Sequence, residues 1–431
     1  MRQRVSWAPA GLILLLVGAP VVVADQPLPD PLSLDDALAY ARADLPAIEI
    51  AIAGRDASAA DLAEAESLSG LRVSAVARLR AVQPSYVAPN RDINDSSAGL
   101  ALRKRLYDFG YAAAREEAAR RSGDSSEWRT LQARQKARLD IMRRFFDVIL
   151  ADLQFARDNE AMAGAYIAAD RARQRRELKR TSDIEVLRLE ADYQVVLQAR
   201  MDSQALQRAA RARLALAMGR PGELVSSVLP PGVPDTTVAL PEYEALLAEV
   251  MQGNPGLQAL RAEVEAASAG VEAARAGHGP VVSGELDAAV YNRSTSSTHP
   301  LGAGLVLEVP LLTGGARDAA VAAARAELRS SRAQLVAAEY ATRQKVLDLW
   351  QRLGSLQLKL QGLKVRGDYR ELYLDRSRAL YELEVKTDLG DAMTEISAIR
   401  LDVAEAEFDW TMTQAELAAL AGRLMPEENP Q

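Results

Sequence analysis

Leu307-Glu308-Val309-Pro310-Leu311-Leu312-Thr313-Gly314-Gly315 closes an alternating apolar run and leads into the alanine-rich stretch 316–328. Upstream, Leu301, Ala303, Leu305, Leu307 and Val309 share one side of a period-two pattern, with Glu308 on the other. Downstream, no proline occurs between Pro310 and Pro426, so a helix can continue without a break. These nine residues mark a strand handing over to a long helix.

The junction occurs twice. Gly99-Leu100-Ala101-Leu102 through Phe109-Gly110 aligns with Gly304-Leu305-Val306-Leu307 through Gly314-Gly315, 205 residues later. The same offset aligns Arg176-Glu177-Leu178 with Tyr381-Glu382-Leu383, and Asp183-Ile184 with Asp388-Leu389. Nearer the start, Asp44-Leu45-Pro46 matches Gly253-Asn254-Pro255 at a slightly larger offset, the difference falling in a hairpin loop. The chain is therefore expected to be a tandem duplication, with repeats at 25–220 and 242–425. Five prolines crowd the linker 221–241, and a short tail, 426–431, follows the second repeat.

Each repeat reads as helix, two strands, very long helix, turn and return helix. The initial helices are predicted at 45–69 and 254–276. Strands are predicted at 71–82 and 97–106, where Leu71, Val73, Ala75, Ala77 and Leu79 oppose Arg72, Ser74, Arg78 and Arg80, and Ala98, Leu100 and Leu102 oppose Arg103 and Arg105. In the second repeat they fall at 281–291 and 301–310, with Glu285 and Asp287 on the polar side. About ten residues is the length a tilted strand needs to cross a bilayer, although a soluble half-buried hairpin has the same pattern.

The long helices, 110–178 and 315–383, would each reach about 100 Å at ~1.5 Å per residue. Ile141, Val148, Phe155 and Met162 recur every seven, and Val346, Leu353 and Leu360 interleave with Leu349, Leu356 and Leu363, a coiled-coil seam. Ser122-Gly123-Asp124 is the one place that invites a break. The return helices, 183–219 and 388–422, are about half as long. An initial helix stacked end to end on a return helix would cover one long helix, with the linker as a belt at the join.

Composition narrows the function. Of 431 residues 48% are hydrophobic but only 5% aromatic, which favours an elongated helical molecule over a single globular core. Zero cysteines exclude disulfides, thiolate metal sites, a cysteine nucleophile and a lipidated N-terminal cysteine. A net charge of −7 offers nothing to nucleic acid. No P-loop, zinc-protease or nucleophile-elbow motif is present, His278 and His299 read as incidental, and no cofactor or metal is expected. Arg2 and Arg4 precede an apolar run at 12–23 that ends Val22-Val23-Ala24, a secretory leader cut after Ala24. As an uncleaved anchor the run falls short of the roughly 20 residues a spanning helix needs.

Four strands cannot close a barrel, and unpaired N–H and C=O groups at an edge cost several kcal/mol each in lipid. Assembly is required: two copies give eight strands, three give twelve and a water-filled lumen.

At this point the sequence resembles the TolC family of outer-membrane efflux and secretion ducts over nearly the whole mature chain, most specifically at the duplicated strand-to-helix junctions. The resemblance implies a mostly α fold with a small transmembrane β part: long coiled-coil helices form an α-barrel, and four strands per protomer contribute to a twelve-stranded barrel in a homotrimer. It implies an outer-membrane location with a long periplasmic extension, and a tip that docks on a periplasmic adaptor of an inner-membrane pump. Asp388 and Asp391 match the family's D-x-x-D gate, an acidic ring that attracts cations, though an ordinary helix cap also accounts for Asp388. Copy one has Asp183 and Glu185 instead. Relatives commonly carry glycine where this chain has Lys179 and Glu384, and Arg176, Lys179, Arg180, Thr181, Tyr381, Glu384 and Lys386 are the expected adaptor-contacting tip.

Within such a barrel the lumen would hold Arg72, Arg78, Arg80, Arg103 and Arg105 from one repeat and Glu285, Asp287 and Glu308 from the other, paired across strands and with little ion preference. Tyr107, Phe109 and Tyr111 would form the periplasmic aromatic girdle, and Tyr86 and Tyr291 the outer one. The competing function is a soluble periplasmic adaptor or coiled-coil scaffold, which also has a leader and a long hairpin.

Overall fold

The computed structural model describes residues 28–42, 44–233, 235–236, 239–295, 298–383 and 389–424; the leader, the tail and Glu384, Lys386 and Asp388 lie outside the described residues. In chain order the elements are α1 (Leu34–Leu38), α2 (Pro46–Ser67), β1 (Leu71–Arg78), β2 (Ser97–Tyr107), α3 (Tyr111–Glu177), α4 (Asp183–Ala217), α5 (Tyr243–Gly253), α6 (Pro255–Ala276), β3 (Val281–Tyr291), β4 (Leu301–Glu308), α7 (Ala316–Glu382) and α8 (Leu389–Leu420). The helix α3 is continuous through Gly123. Two elements were not anticipated: α1, and α5 directly before the initial helix of the second repeat. Strands β1 and β4 end earlier than the alternation suggests, so Leu79 and Arg80 lie beyond the first and Val309 and Pro310 beyond the last.

The strands form one antiparallel sheet in the order β1-β2-β3-β4, and the two repeats meet where β2 pairs with β3. Both long helices leave the sheet through the same turn. Phe109 and Gly110 have φ of 54° and 93°, and Gly314 and Gly315 have 59° and 85°. Two successive left-handed residues redirect the chain from strand to helix, a conformation glycine adopts at little cost and phenylalanine at about 1–2 kcal/mol. Asp108 helps hold the first turn, accepting from the Ala112 amide at 2.9 Å and pairing with Arg105 at 3.2 Å.

The helices stand as four columns. α7 is the first, α6 with α8 the second, α3 the third, and α2 with α4 the fourth, each packed on the next. The half-length helices stack end to end, as the length arithmetic requires. α4 closes on Gly219, at φ 72°, where an added Cβ would meet Leu45 Cδ2 at 3.0 Å at the start of α2. In the other join one side chain serves both helices. Buried Asn254 accepts from the Leu257 amide at 2.9 Å, capping α6, and donates through Nδ2 to the Leu420 carbonyl of α8 at 3.1 Å. Pro255 sits at the first helical position, where its missing N–H costs nothing.

The main core lies at this level, where Leu32, Ile48, Ile141, Phe145, Val148 and Leu214 are fully covered. A second cluster joins Val346, Leu349, Leu353 and Leu356 of the seam to Leu246 and Val250 of α5 and to Trp410 of α8. The linker binds the joins from outside the helices' own ladders. Around a Leu32–Val228 bridge the Leu32 amide donates to the Ser227 carbonyl at 3.1 Å and the Leu32 carbonyl accepts from the Leu229 amide at 2.8 Å. The Pro241 carbonyl accepts from Trp350 Nε1 at 3.0 Å, and the Thr236 carbonyl from Gln357 at 2.9 Å.

Removing the Asn254 side chain breaks a cap and takes the donor from the half-buried Leu420 carbonyl. Asn254→Ala is expected to lower unfolding stability by about 1–3 kcal/mol, against about 1 kcal/mol for Ser182→Ala, which loses only the cap of α4. Thermal melts of the two variants side by side check the order.

Candidate functional site: a two-faced sheet and a helical tip

Strand register decides which side chains share a face. Arg72 lies opposite Arg103, and Arg103 opposite Glu285. Ser74, Ala101 and Asp287 form the next such row, and Arg78 and Ser97 line up with Tyr291. Arg105 lies opposite Ser283, and Glu308 opposite Val281. Seven of the eight predicted lumen residues therefore fall on one face of β1–β4. Arg80 is the exception: it lies past the end of β1, and its guanidinium is drawn to Asp95 at the foot of the outer loop.

The opposite face carries Leu71, Val73, Ala75, Leu100, Leu102, Leu286, Val290, Leu301, Leu305 and Leu307, and its larger members other than half-buried Leu102 are exposed, Leu305 by 74%. Lys104 is the one charge on that face, in a row with Leu71, Gly284 and Leu305 close to the helix junction. It shares parity with Leu102, so the sequence alone places it on this face.

Pairing on the polar face is partial. Arg103 Nε meets Glu285 at 3.0 Å across the boundary between repeats. Arg105 turns down its own strand to Asp108 instead of across the sheet, because a carboxylate three residues on is already buried there. Tyr107 and Phe109 contact edge to face at 4.7 Å beside that turn. At the far end, the two hairpin loops are tied together. Arg293 donates to the Asn90 carbonyl at 3.1 Å, and Asn292 to the Asp92 carboxylate at 3.3 Å.

At the other end of the molecule α3 turns into α4 through Leu178-Lys179-Arg180-Thr181-Ser182. Lys179 occupies the left-handed region at φ 59°, with its amide bonded to Arg176 O and that of Arg180 to Arg175 O, each at 2.8 Å. This is a Schellman closure with lysine where glycine is usual. Ser182 then caps α4, and Arg176 approaches Asp183 at 3.9 Å. The Arg188 hydrogen bond holds the Glu185 carboxyl below its usual range, so their pairing weakens as pH falls through that lowered value. Of the predicted tip, Arg176, Lys179, Arg180 and Thr181 form this turn, and Tyr381 lies in the last turn of α7. Asp391 stands in the first turn of α8, where Gly390 approaches Gly164 of α3.

No helix among the described residues is long and apolar enough to cross a membrane, and none of their His, Asp and Glu side chains cluster as a metal site.

Lys179→Gly removes a left-handed cost of about 1–2 kcal/mol, offset in part by glycine's extra backbone entropy, roughly 0.5–1 kcal/mol. The Arg180 amide is expected to exchange more slowly with solvent in this variant, with no change at the sheet; hydrogen exchange reads both.

Residues 246–423 match the family model described as outer membrane efflux protein. No curated protein matches the chain in sequence. A membrane protein from Pseudomonas aeruginosa has a similar solved structure, with TM-score 0.75 at 17% identity over 91% of this chain and 92% of that one. The CmeC outer membrane channel of Campylobacter jejuni gives 0.74 at 12% identity over 92% and 87%. The outer membrane protein VceC of Vibrio cholerae gives 0.71 at 17% over 91% and 96%. Sequence places the outer membrane efflux protein domain in the second repeat, structure extends the likeness over both, and the chain thus combines that domain with the fold of the TolC-family channels.

Proposed function

We propose that this chain is the outer-membrane exit duct of a tripartite efflux pump or type I secretion system, passively conducting substrates across the periplasm and outer membrane. The observation that carries the proposal is the two-faced sheet. One face is apolar and exposed, the other charged, and the outer edges of β1 and β4 are unpaired among the described residues. Three copies pairing β4 to β1 make a closed twelve-stranded barrel with the charged face inward, and the helical columns continue the tube into the periplasm.

Four arginines, Arg72, Arg78, Arg103 and Arg105, stand against three carboxylates, Glu285, Asp287 and Glu308, on the polar face, which leaves little net charge to select by, so the barrel itself discriminates weakly. Control then belongs at the tip, where Asp388 and Asp391 from three copies form an acidic constriction and Arg176, Lys179, Arg180, Thr181, Tyr381, Glu384 and Lys386 meet a periplasmic adaptor coupled to an inner-membrane pump. No catalytic step and no cofactor enter this reading.

In detergent the mature protein is expected to be a trimer, and in planar bilayers a poorly conducting channel whose conductance rises at least several-fold in the Asp388→Ala/Asp391→Ala variant. An unchanged conductance removes the gate. A detergent-free, water-soluble monomer in the periplasmic fraction removes the duct and favours a soluble adaptor.

A further inference from the structure

Several of the sheet's charges have no side-chain partner among the described residues, and two of these stand at the helix end of the edge strands, one on each. Arg72 is the second residue of β1, and Glu308 the last of β4. Both lie on the polar face, and neither has a hydrogen-bond or ion-pair partner among the described residues. Within the sheet Arg72 sits beside Arg103, a like charge already engaged by Glu285, while Glu308 sits beside Val281. On β4 the other polar-face positions are Gly302, Gly304 and Val306, so Glu308 is that edge's one charge.

Chain direction brings the two to the same level. β1 begins at the helix end of the sheet and β4 finishes there, so when the edges of two copies pair in antiparallel fashion, Arg72 of one and Glu308 of the next lie at the same rim. Direct and diagonal neighbours on one face of adjacent strands are within reach of an arginine. We propose that Arg72 and Glu308 form the ion pair that closes the β-seam between copies, one per seam, at the mouth where the barrel opens into the helical tube. This rests on the trimeric duct and adds what fixes its register: a one-residue slip at the seam turns one partner to the apolar face. Arg78, at the outer end of β1, has only Leu301 and Gly302 near its level on the facing edge and takes no part.

The test is charge reversal in the full-length mature protein, with trimer and monomer separated in detergent across a temperature series. Wild type is measured first, because a monomeric wild type sinks the duct reading and not the pair alone. Arg72→Glu and Glu308→Arg are each expected to raise the monomer fraction on the order of tenfold at matched concentration. The double reversal, Arg72→Glu with Glu308→Arg, is expected to return it close to wild type, and Arg78→Glu to leave it unchanged. Single variants that stay trimeric, or a double variant as monomeric as its parents, overturn the pair. Should a single variant fail to fold, R72Q and E308Q, which delete charge without repulsion, carry the same comparison.

Discussion

For a sheet placed in hydrocarbon as proposed, an unpaired backbone edge is the constraint from which the rest follows. β1 and β4 each present, along one edge, a row of N–H and C=O groups with no partner among the described residues, and each such group costs several kcal/mol where no water can reach it. The helical part has the same two margins. β1 is fed by α2, in the fourth column, and β4 runs into α7, the first. These outer columns carry many of the helices' exposed large apolar side chains, among them Ile184, Leu187 and Val195 on α4, and Tyr340, Leu358, Val365 and Leu372 on α7. Sheet and helices are left incomplete along the same two sides, so one mode of association satisfies both.

What the protomer must supply by itself is a straight wall of even height. Helices of 67 residues stand beside pairs of 22 and 35 or 22 and 32, and the wall is sound only where the shorter ones meet. A helix end buried in a wall has four orphan donors or acceptors to place. Here left-handed glycines, Gly219 and Gly422, end the lower helices, and prolines with a residue before them start the upper ones. Asn254 goes further by giving one hydrogen bond to each side. The belt of linker crosses at the same height and covers Trp350 and Gln357 on α7. Packing is densest where the covalent column is interrupted, and this is why the main core lies there.

The architecture was legible because it rests on periodicity, repetition and length. A period of two set beside a seam of seven identifies strand and long helix without reference to partners, and the duplication fixed both junctions at once. What escaped notice depends on where pairing stops or what lies nearby in space. Leu79 and Arg80 continue the alternation of β1 although the ladder has ended, with Arg80 drawn off by Asp95, and only an isolated Ala81–Asn94 bridge remains beyond. Helix α5 begins two residues after Pro241, at the end of a stretch whose prolines mask an amphipathic segment. The faces of the candidate lumen could be read from parity, but its pairings could not. Arg105 prefers a carboxylate three residues away to any across the sheet, and nothing in the sequence ranks those two.

The sign of charge divides between the repeats, and register gives that division a meaning. Repeat one places arginines on the polar face and repeat two places carboxylates, so the boundary between β2 and β3 is attractive, as Arg103 and Glu285 demonstrate. Inside repeat one, Arg72 beside Arg103 is a like-charge neighbour pair, tolerable only because Glu285 neutralises the second. A ring built from alternating repeats has an attractive boundary at each change of repeat, whether it falls inside a chain or between chains. A ring in which repeat one met repeat one would set arginine against arginine along the seam. The two halves have diverged in charge while keeping the same backbone, down to the paired left-handed turn that Phe109 adopts at a cost and Gly314 does not. Divergence of that kind penalises wrong neighbours without altering the fold, the role charged edge positions play wherever strands must choose one partner among several.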